Sequence, residues 1–478
     1  MDETEVAIVG GGISGLSVAW WLAQRGIPSE IWERAHHPGG KIRSHAADGY
    51  LTERAANLIL NFRPEIDLLL RRSGLERHRI RRSLRAEAHR YLLLEGSLRP
   101  LPAHPLRLLL SPIWSWRGKL RLLAEPFIPR AGGEQESVAR FVRRRFGAEL
   151  LEKAMEPFVA GTLAADASQA DAAATLPRLT ALERRYGSIT AGVVASRLLR
   201  RRTAVPGEAF SFTGGISTLV EALAAAPGVR LHTGTAATRL ARDGSGWLVS
   251  GRGAGRERLL RARQLVLCTP ARTAARLLSP LDRELGAALA AIPYAPLAVV
   301  HTGFRREQIR HPLDGSGFLT PAGAGLSFNG NLWMSSLFPG RAPPGRVLLT
   351  SYIGGCRAPQ MVEWEEQRLV EALCRDLQPI LGLRGEPEWL RIDRHQRALP
   401  LYHGAYQRRL ALIEQRLRAL PGLHLAANYM GGVAVRDRIL CGAGLARRIA
   451  RQPGKRRATV VTAARGAERY EQGAIPAR

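Results

Sequence analysis

Lysine and cysteine are both scarce in this chain. Of its 70 basic residues four are lysine (Lys41, Lys119, Lys153 and Lys455) and the other 66 are arginine. The four cysteines (Cys268, Cys356, Cys374, Cys441) stand far apart, form no CxxC pair and have no histidine at zinc-binding spacing. This excludes a disulfide framework and a zinc ribbon, and fits a reducing compartment. Acidic residues are few: 41 against 70 basic ones give a net charge of +29. Such a field attracts polyanions, anionic membranes or acidic small molecules. Neither a nucleic-acid-binding motif nor a concentrated basic stripe is present, so nucleic acid is not expected as a partner. Long apolar helical runs are missing too. The uncharged window Val6 to Ala23 is rich in glycine, and Leu285 to Phe304 contains Pro293 and Pro296, so neither reads as a membrane span. The acidic start Met1-Asp2-Glu3-Thr4-Glu5 lacks the basic opening of a signal peptide. A cytoplasmic protein, soluble or peripheral to a membrane, is expected.

What is present begins with a nucleotide motif. The 478 residues suffice for roughly three domains at about 150 residues each. Val6-Ala7-Ile8-Val9 is a short apolar strand, followed by Gly10-Gly11-Gly12-Ile13-Ser14-Gly15 and a helical pattern through Arg25. A second strand from Ile27 ends in Glu33, 18 residues after Gly15. This strand, glycine turn, helix, strand and acid bind an ADP moiety. Gly10 permits the tight turn, Gly12 lets the backbone approach a pyrophosphate, and Gly15 lets helix and strand pack closely. The helix start faces the phosphates, and Glu33 accepts from ribose hydroxyls. His36-His37 beside Pro38 reads as a loop pair rather than a metal site.

Further motifs narrow the assignment. Gly39-Gly40-Lys41-Ile42-Arg43-Ser44 resembles the second glycine pair of the amine oxidase-like flavoproteins, with Lys41 in place of their usual arginine. Near the other end, Asn428-Tyr429-Met430-Gly431-Gly432-Val433-Ala434-Val435 precedes a helical run from about Arg436 to Arg451. Its positive end would face a flavin pyrimidine. Glu156-Pro157-Phe158-Val159-Ala160-Gly161-Thr162-Leu163-Ala164-Ala165-Asp166 is similar to the EPF-x-x-G-x-x-x-x-D signature of the oxygen-dependent protoporphyrinogen oxidases. So are Tyr186-Gly187-Ser188-Ile189, Phe210-Ser211-Phe212-Thr213-Gly214-Gly215, Phe338-Pro339-Gly340-Arg341 and Val433-Ala434-Val435-Arg436-Asp437-Arg438-Ile439. The resemblance runs over nearly the whole chain to about residue 450. Departures stand at Ala55 and Ala427, where that family usually has glycine, and at Ser316, where an aromatic often flanks the substrate.

The resemblance implies an α/β fold with a discontinuous Rossmann-like FAD-binding domain (1–80, 222–285 and 392–452). It also implies a mixed-sheet substrate domain (81–101, 204–221 and 286–391) and a helical membrane-docking lobe (102–203), ahead of a basic tail (453–478) expected to be disordered. It further implies FAD as cofactor, held by Gly10, Gly11, Gly12, Ile13, Ser14, Gly15, Glu33, Gly40, Lys41, Ala237, Tyr406, Val433, Ala434 and Val435. The substrate implied is a porphyrinogen oxidised with oxygen as acceptor. Arg90 would pair with a propionate, Leu319 would wedge against a pyrrole ring, and Gly161 would bring backbone close to the reacting bridge. No acid–base catalytic residue is implied, and a homodimer is. An amine oxidase or polyene desaturase is the alternative from another class. Many amine oxidases of the superfamily place a mid-chain lysine at the flavin, and there is none between Lys153 and Lys455. Protoporphyrinogen and coproporphyrinogen are both open as substrates. The arginines of Arg71 to Arg90, eight of twenty residues, and the apolar clusters with tryptophan through Pro129 suggest an anionic lipid surface.

Overall fold

The computed structural model of the chain describes residues 1–102, 104–130, 135–198, 207–244 and 246–451; the basic tail lies outside them. The first strand, Asp2–Val9, lies inside a seven-stranded sheet. The order is Val229–His232, Ser29–Trp32, Asp2–Val9, Arg256–Leu267, Gly246–Gly253 and Thr235–Asp243, and Leu423–Leu425 adds to Arg256–Leu267. Pairings around Asp2–Val9 are parallel, and those of Gly246–Gly253 are antiparallel. The helix Ile13–Ala23 is buried at every residue from Ser14 to Leu22. Apolar on all sides, it sits inside the core rather than on its surface. It packs on the last helix, Val435–Ala450, where a Cβ on Gly442 would stand 2.9 Å from the backbone of Ser17. Two distant pieces of sequence therefore share one layer over the sheet. Helices Ala271–Leu278, Arg283–Ala290 and Tyr406–Arg418 cover its other face.

A second seven-stranded sheet runs Trp389–Pro400, Tyr294–Arg305, Arg346–Gly354, Gly330–Trp333, Gly317–Leu319, Tyr91–Leu94 and Ser97–Pro100. The strand Trp389–Pro400 belongs to it entirely, so the chain returns to the first sheet after residue 400, not at the expected 392. A small third sheet joins Ile59–Asn61 and Arg79–Arg81 to Glu208–Phe212, segments that the expected domain division had separated.

The described residues within 105–198 are mainly helical and pack through Val138, Phe141, Val159 and Leu176 onto Ala295, Leu297 and Val299 of the second sheet. The helix Val138–Phe146 ends at Gly147, whose φ of 92° suits glycine alone. The chain continues as a π turn, Leu151–Met155, into the helix Glu156–Leu163. Gly161 is therefore a helical residue.

This lobe is organised around a wholly buried guanidinium. Arg145 donates to Glu183 through Nε at 2.7 Å and through Nη2, and to Gly187 O at 2.7 Å. It also donates to Ile128 O at 2.9 Å and to Glu125 at 3.3 Å. All five of its N–H groups are used. Burial alone would raise the Glu125 carboxyl, but hydrogen bonds from Ser188 Oγ and from the Ile189 and Thr190 N–H groups outweigh it and hold it below its usual value of 4.5. Glu183 is held low against the same burial by Arg144 and Arg145. Carboxylates lowered by folding add stability that is full above the unfolded pKa and disappears as pH falls through the folded one. Acid should accordingly loosen the lobe first. Amide exchange across 138–198 is expected to speed up between about pH 5 and pH 3 while the first sheet stays protected. Equal protection of the lobe at both pH values would refute this.

Candidate functional site

The glycine turn is built as its spacing predicts. Gly10 has φ 108°, and a Cβ there would meet Cys268 O at 3.0 Å; a Cβ on Gly15 would collide with Gly10 O. Leu16 N–H makes the first helical bond, to Gly12 O, so the N–H groups of Ile13, Ser14 and Gly15 precede it and are free to face an anion. Glu33 accepts from Gly11 N–H at 2.6 Å and from Ala35 N–H at 2.8 Å. Each oxygen keeps a second lone pair for a ribose hydroxyl. Thr235 N–H donates to Glu33 O at 2.8 Å, which sets the strand carrying Ala237 beside the same acid. Gly39 N–H donates to Gly11 O, and Gly40 stacks directly on Gly12, so the two glycine turns form one groove.

The far end of this groove is walled by the loop ahead of the last helix. Val433 and Ala434 lead into Val435 at the helix start, and Ala434 N–H donates to Asp437 at 3.2 Å. Arg438 was not singled out in the sequence. It is buried beneath this loop and donates to the carbonyls of Ala427, Met430 (3.2 Å) and Gly431 (2.9 Å). Tyr406 is also buried, and its hydroxyl donates to Tyr429 O at 2.9 Å. It shapes the loop from behind. The Lys41 ammonium donates to the carbonyls of Arg397 and Ala398, at the end of the second sheet, and lies 5.7 Å from the Tyr294 ring. Burial, and then the charge of Arg54, lowers its pKa to about 8. The buried hydroxyls of Thr269 and Tyr429 have no partner among the described residues. A groove with free helical N–H groups and an acid at one end suits a flavin dinucleotide.

The predicted substrate residues converge on one face of the second sheet. Leu92 pairs with Leu319, Leu319 with Gly330, Gly330 with Tyr352 and Tyr352 with Val299. Paired residues point the same way, so these form a row across four strands and into a fifth. His89 and Tyr91 both hold Asp314, at 3.1 Å to its carbonyl and 2.8 Å to its carboxylate, on the opposite face. Arg90, between them, is thereby directed to the side of Leu92 and Leu319. It is exposed, and its guanidinium has no ion pair among the described residues. Burial of part of its stem and the nearby Arg82 lower its pKa. Gly161 lies against Leu319: a Cβ there would overlap Leu319 Cδ2 and stand 3.2 Å from Asn329 O. Ser316 bonds back to His89 O through its N–H at 3.0 Å, so it belongs to the frame of Arg90. Tyr352 and Asn57 were also missed. Asn57 Nδ2 donates to the buried Tyr352 hydroxyl, and burial raises that phenol well above its usual range. Only strand register reveals the row, and register is not written in any single strand.

The sequence profile of the flavin-containing amine oxidoreductases matches residues 13–450. The chain is 30% identical over 474 residues to the mitochondrial protoporphyrinogen oxidase of Nicotiana tabacum, covering 92% of this chain and 94% of that protein. It is 26% identical over 456 residues to the coproporphyrinogen III oxidase of Bacillus subtilis (strain 168), covering 91% and 95%. A crystal structure from Exiguobacterium sp. 255-15, assigned as a protoporphyrinogen oxidase, has the same fold with a TM-score of 0.75 at 22% identity, covering 94% of this chain and 98% of that one. The chain belongs to the flavin-containing amine oxidoreductase family: it is an FAD oxidoreductase, related along almost its whole length to protoporphyrinogen oxidases.

Proposed function

We propose that the protein oxidises protoporphyrinogen IX to protoporphyrin IX, with oxygen as the final acceptor and hydrogen peroxide as co-product. The observation that carries this reading is the shared face of Arg90, Leu92, Leu319 and Gly161: an unpaired cation at the edge of an apolar row. A non-planar macrocycle with propionates needs that combination, whereas an apolar polyene has no use for Arg90. Bound FAD supplies the acceptor for hydride from a bridging carbon. The protein's own part is to position the ring and exclude water. Arg90 anchors a carboxylate, Leu319 covers a ring face, and Gly161 lets backbone approach the bridge. Deep in the same face, His301 is held neutral by burial, which lowers its pKa to about 4, and so supplies no proton at neutral pH.

Aerobic incubation with protoporphyrinogen IX should produce porphyrin fluorescence and peroxide together. Faster turnover of coproporphyrinogen III would shift the substrate to the tetracarboxylate. Peroxide from polyamines without porphyrin formation would defeat the reading. Arg90→Ala should raise KM about tenfold, the loss of one charge-assisted contact, and leave flavin content unchanged. An unaltered KM would remove Arg90 from the site.

Peripheral membrane association belongs to the same proposal. Among the described residues no helix is long and apolar enough to cross a membrane. Trp116 (66% exposed), Phe127 (86%), Leu110 (65%), Leu120 and Leu123 (56% each) lie bare on neighbouring helices and turns. Ile113 and Trp114 are buried. In the expected arginine cluster, Arg79, Arg81 and Arg82 are paired with acids. Support therefore centres on residues 107–127, with Arg107, Arg117 and Lys119 beside the apolar side chains. The wild type should float with phosphatidylglycerol vesicles, and Trp116→Ser with Phe127→Ser should stay behind. Equal flotation would refute docking by this surface.

A further inference from the structure

One half-buried ion pair links the helix that bears Gly161 to the segments next to Leu319 and Gly330. Arg357 follows the strand Arg346–Gly354 and donates to both oxygens of Glu156 at 2.7 Å through Nη2, and again through Nε at 3.1 Å. Its Nη1 reaches Thr320 Oγ1 at 3.3 Å and Asn329 Oδ1 at 3.5 Å. Glu156 opens the helix that bears Gly161, and it also accepts from Ala322 N–H at 3.1 Å. Thr320 follows Leu319, and Asn329 precedes Gly330. The guanidinium thus ties the helix that bears Gly161 to the strand ends beside Leu319 and Gly330. Its own backbone is pinned in the same place: Cys356 N–H donates to Ala164 O at 2.9 Å, and Asn329 Nδ2 donates to Gly354 O at 3.0 Å.

We propose that the Arg357–Glu156 pair is the positioning device that holds Gly161 seated against Leu319, and so governs the shape of the wall on which the macrocycle rests. The proposal rests on the reading of Gly161 and Leu319 as adjoining residues of one wall of the substrate slot. A planar fork is needed for it: three donors in fixed geometry fix both distance and angle, which an ammonium on a flexible stem cannot do. Neither residue needs to touch the substrate. Loss of the pair would let the helix Glu156–Leu163 shift against the sheet, and the ground state and transition state would lose contact alike. The expected signature is therefore a rise in KM with little change in kcat.

The test measures KM, kcat, flavin content and thermal midpoint on the flavin-loaded protein for Arg357→Ala, Arg357→Lys, Glu156→Gln and Gly161→Ala, with a protoporphyrinogen IX assay. Arg357→Ala and Glu156→Gln are each expected to raise KM about tenfold, with kcat within about threefold of wild type and flavin retained. Arg357→Lys should fall between, and the double variant Arg357→Ala/Glu156→Gln should be no worse than either single one, because both remove the same link. Glu156→Gln keeps shape and volume, so it reports even if Arg357→Ala folds poorly. If Gly161→Ala impairs turnover while the Arg357 and Glu156 variants behave as wild type, the positioning proposal falls and the slot stands. If Gly161→Ala is silent, the slot reading falls and takes the proposal with it. A raised KM in Arg357→Ala and Arg357→Lys with a normal one in Glu156→Gln would make Arg357 a direct ligand of the substrate and overturn the positioning role.

Discussion

Gly15→Ala is expected to yield a protein that carries almost no flavin. The added methyl would collide with the carbonyl oxygen of Gly10, stand 3.2 Å from that carbonyl carbon and meet Ile8 at 3.3 Å. Backbone atoms cannot swing aside as a side chain does, so the helix Ile13–Ala23 must back away from the strand Asp2–Val9. That movement withdraws the N–H groups of Ile13, Ser14 and Gly15 from the position where they face a pyrophosphate. It also disturbs the contact of Gly12 with Gly40, because both glycine turns share one surface. FAD released by denaturation should fall by at least about tenfold relative to protein, a change worth about 1.4 kcal/mol or more of binding. Gly26→Ala is the control: a Cβ there meets nothing within 4 Å, and its φ of 64° costs only local strain. A full complement of flavin in Gly15→Ala would show that the groove does not hold the dinucleotide.

The second large effect is on stability. Arg145→Met replaces a guanidinium of 0% exposure with an apolar chain of similar length. It leaves Glu125 and Glu183 buried without their shared cation, together with two unpartnered carbonyls at Ile128 and Gly187. Breaking a buried pair from one side costs about 3–5 kcal/mol. The thermal midpoint should fall by roughly 5 °C or more, and protease should cut first within residues 138–198. Arg145→Lys should recover little, since one ammonium cannot span four acceptors lying in different directions. A midpoint within a degree of wild type would mean that the lobe is held by its apolar contacts alone.

How much of this was visible beforehand depends on the distance over which each feature is encoded. The turn from Gly10 to Gly15 and the acid at Glu33 are local: strand, turn, helix and strand follow one another, and each glycine has a steric reason within reach. The helix after Val435 was legible for the same reason. Arg145 and Arg438 were not. Arg145 ends the run Arg143-Arg144-Arg145, and successive helical positions point in different directions, so composition cannot say which of the three turns inward. Its acids come from residues 125 and 183, brought there by the fold. Arg438 has no acid partner among the described residues and is recognised by the three carbonyls above it. The redirection of the chain at Gly147, a single glycine of positive φ between the helix Val138–Phe146 and the one that Glu156 opens, was equally hidden in a run that composition alone leaves helical. The boundary expected at 392 failed because the strand Trp389–Pro400 is chosen by its partner, Tyr294–Arg305, across the sheet.

The packing of the first helix on the last has a consequence for biosynthesis. Ile13–Ala23 emerges early from the ribosome, whereas Val435–Ala450 follows more than 400 residues later. At about 5–20 residues per second the apolar first helix therefore waits for roughly 20–80 s without its final cover. The groove proposed for the flavin is complete only after translation has passed Ala450. Cofactor loading is thus a late event in the life of each chain, and chains truncated upstream of Val435 should leave the ribosome with an exposed apolar helix, as substrates for chaperones rather than as weak enzymes.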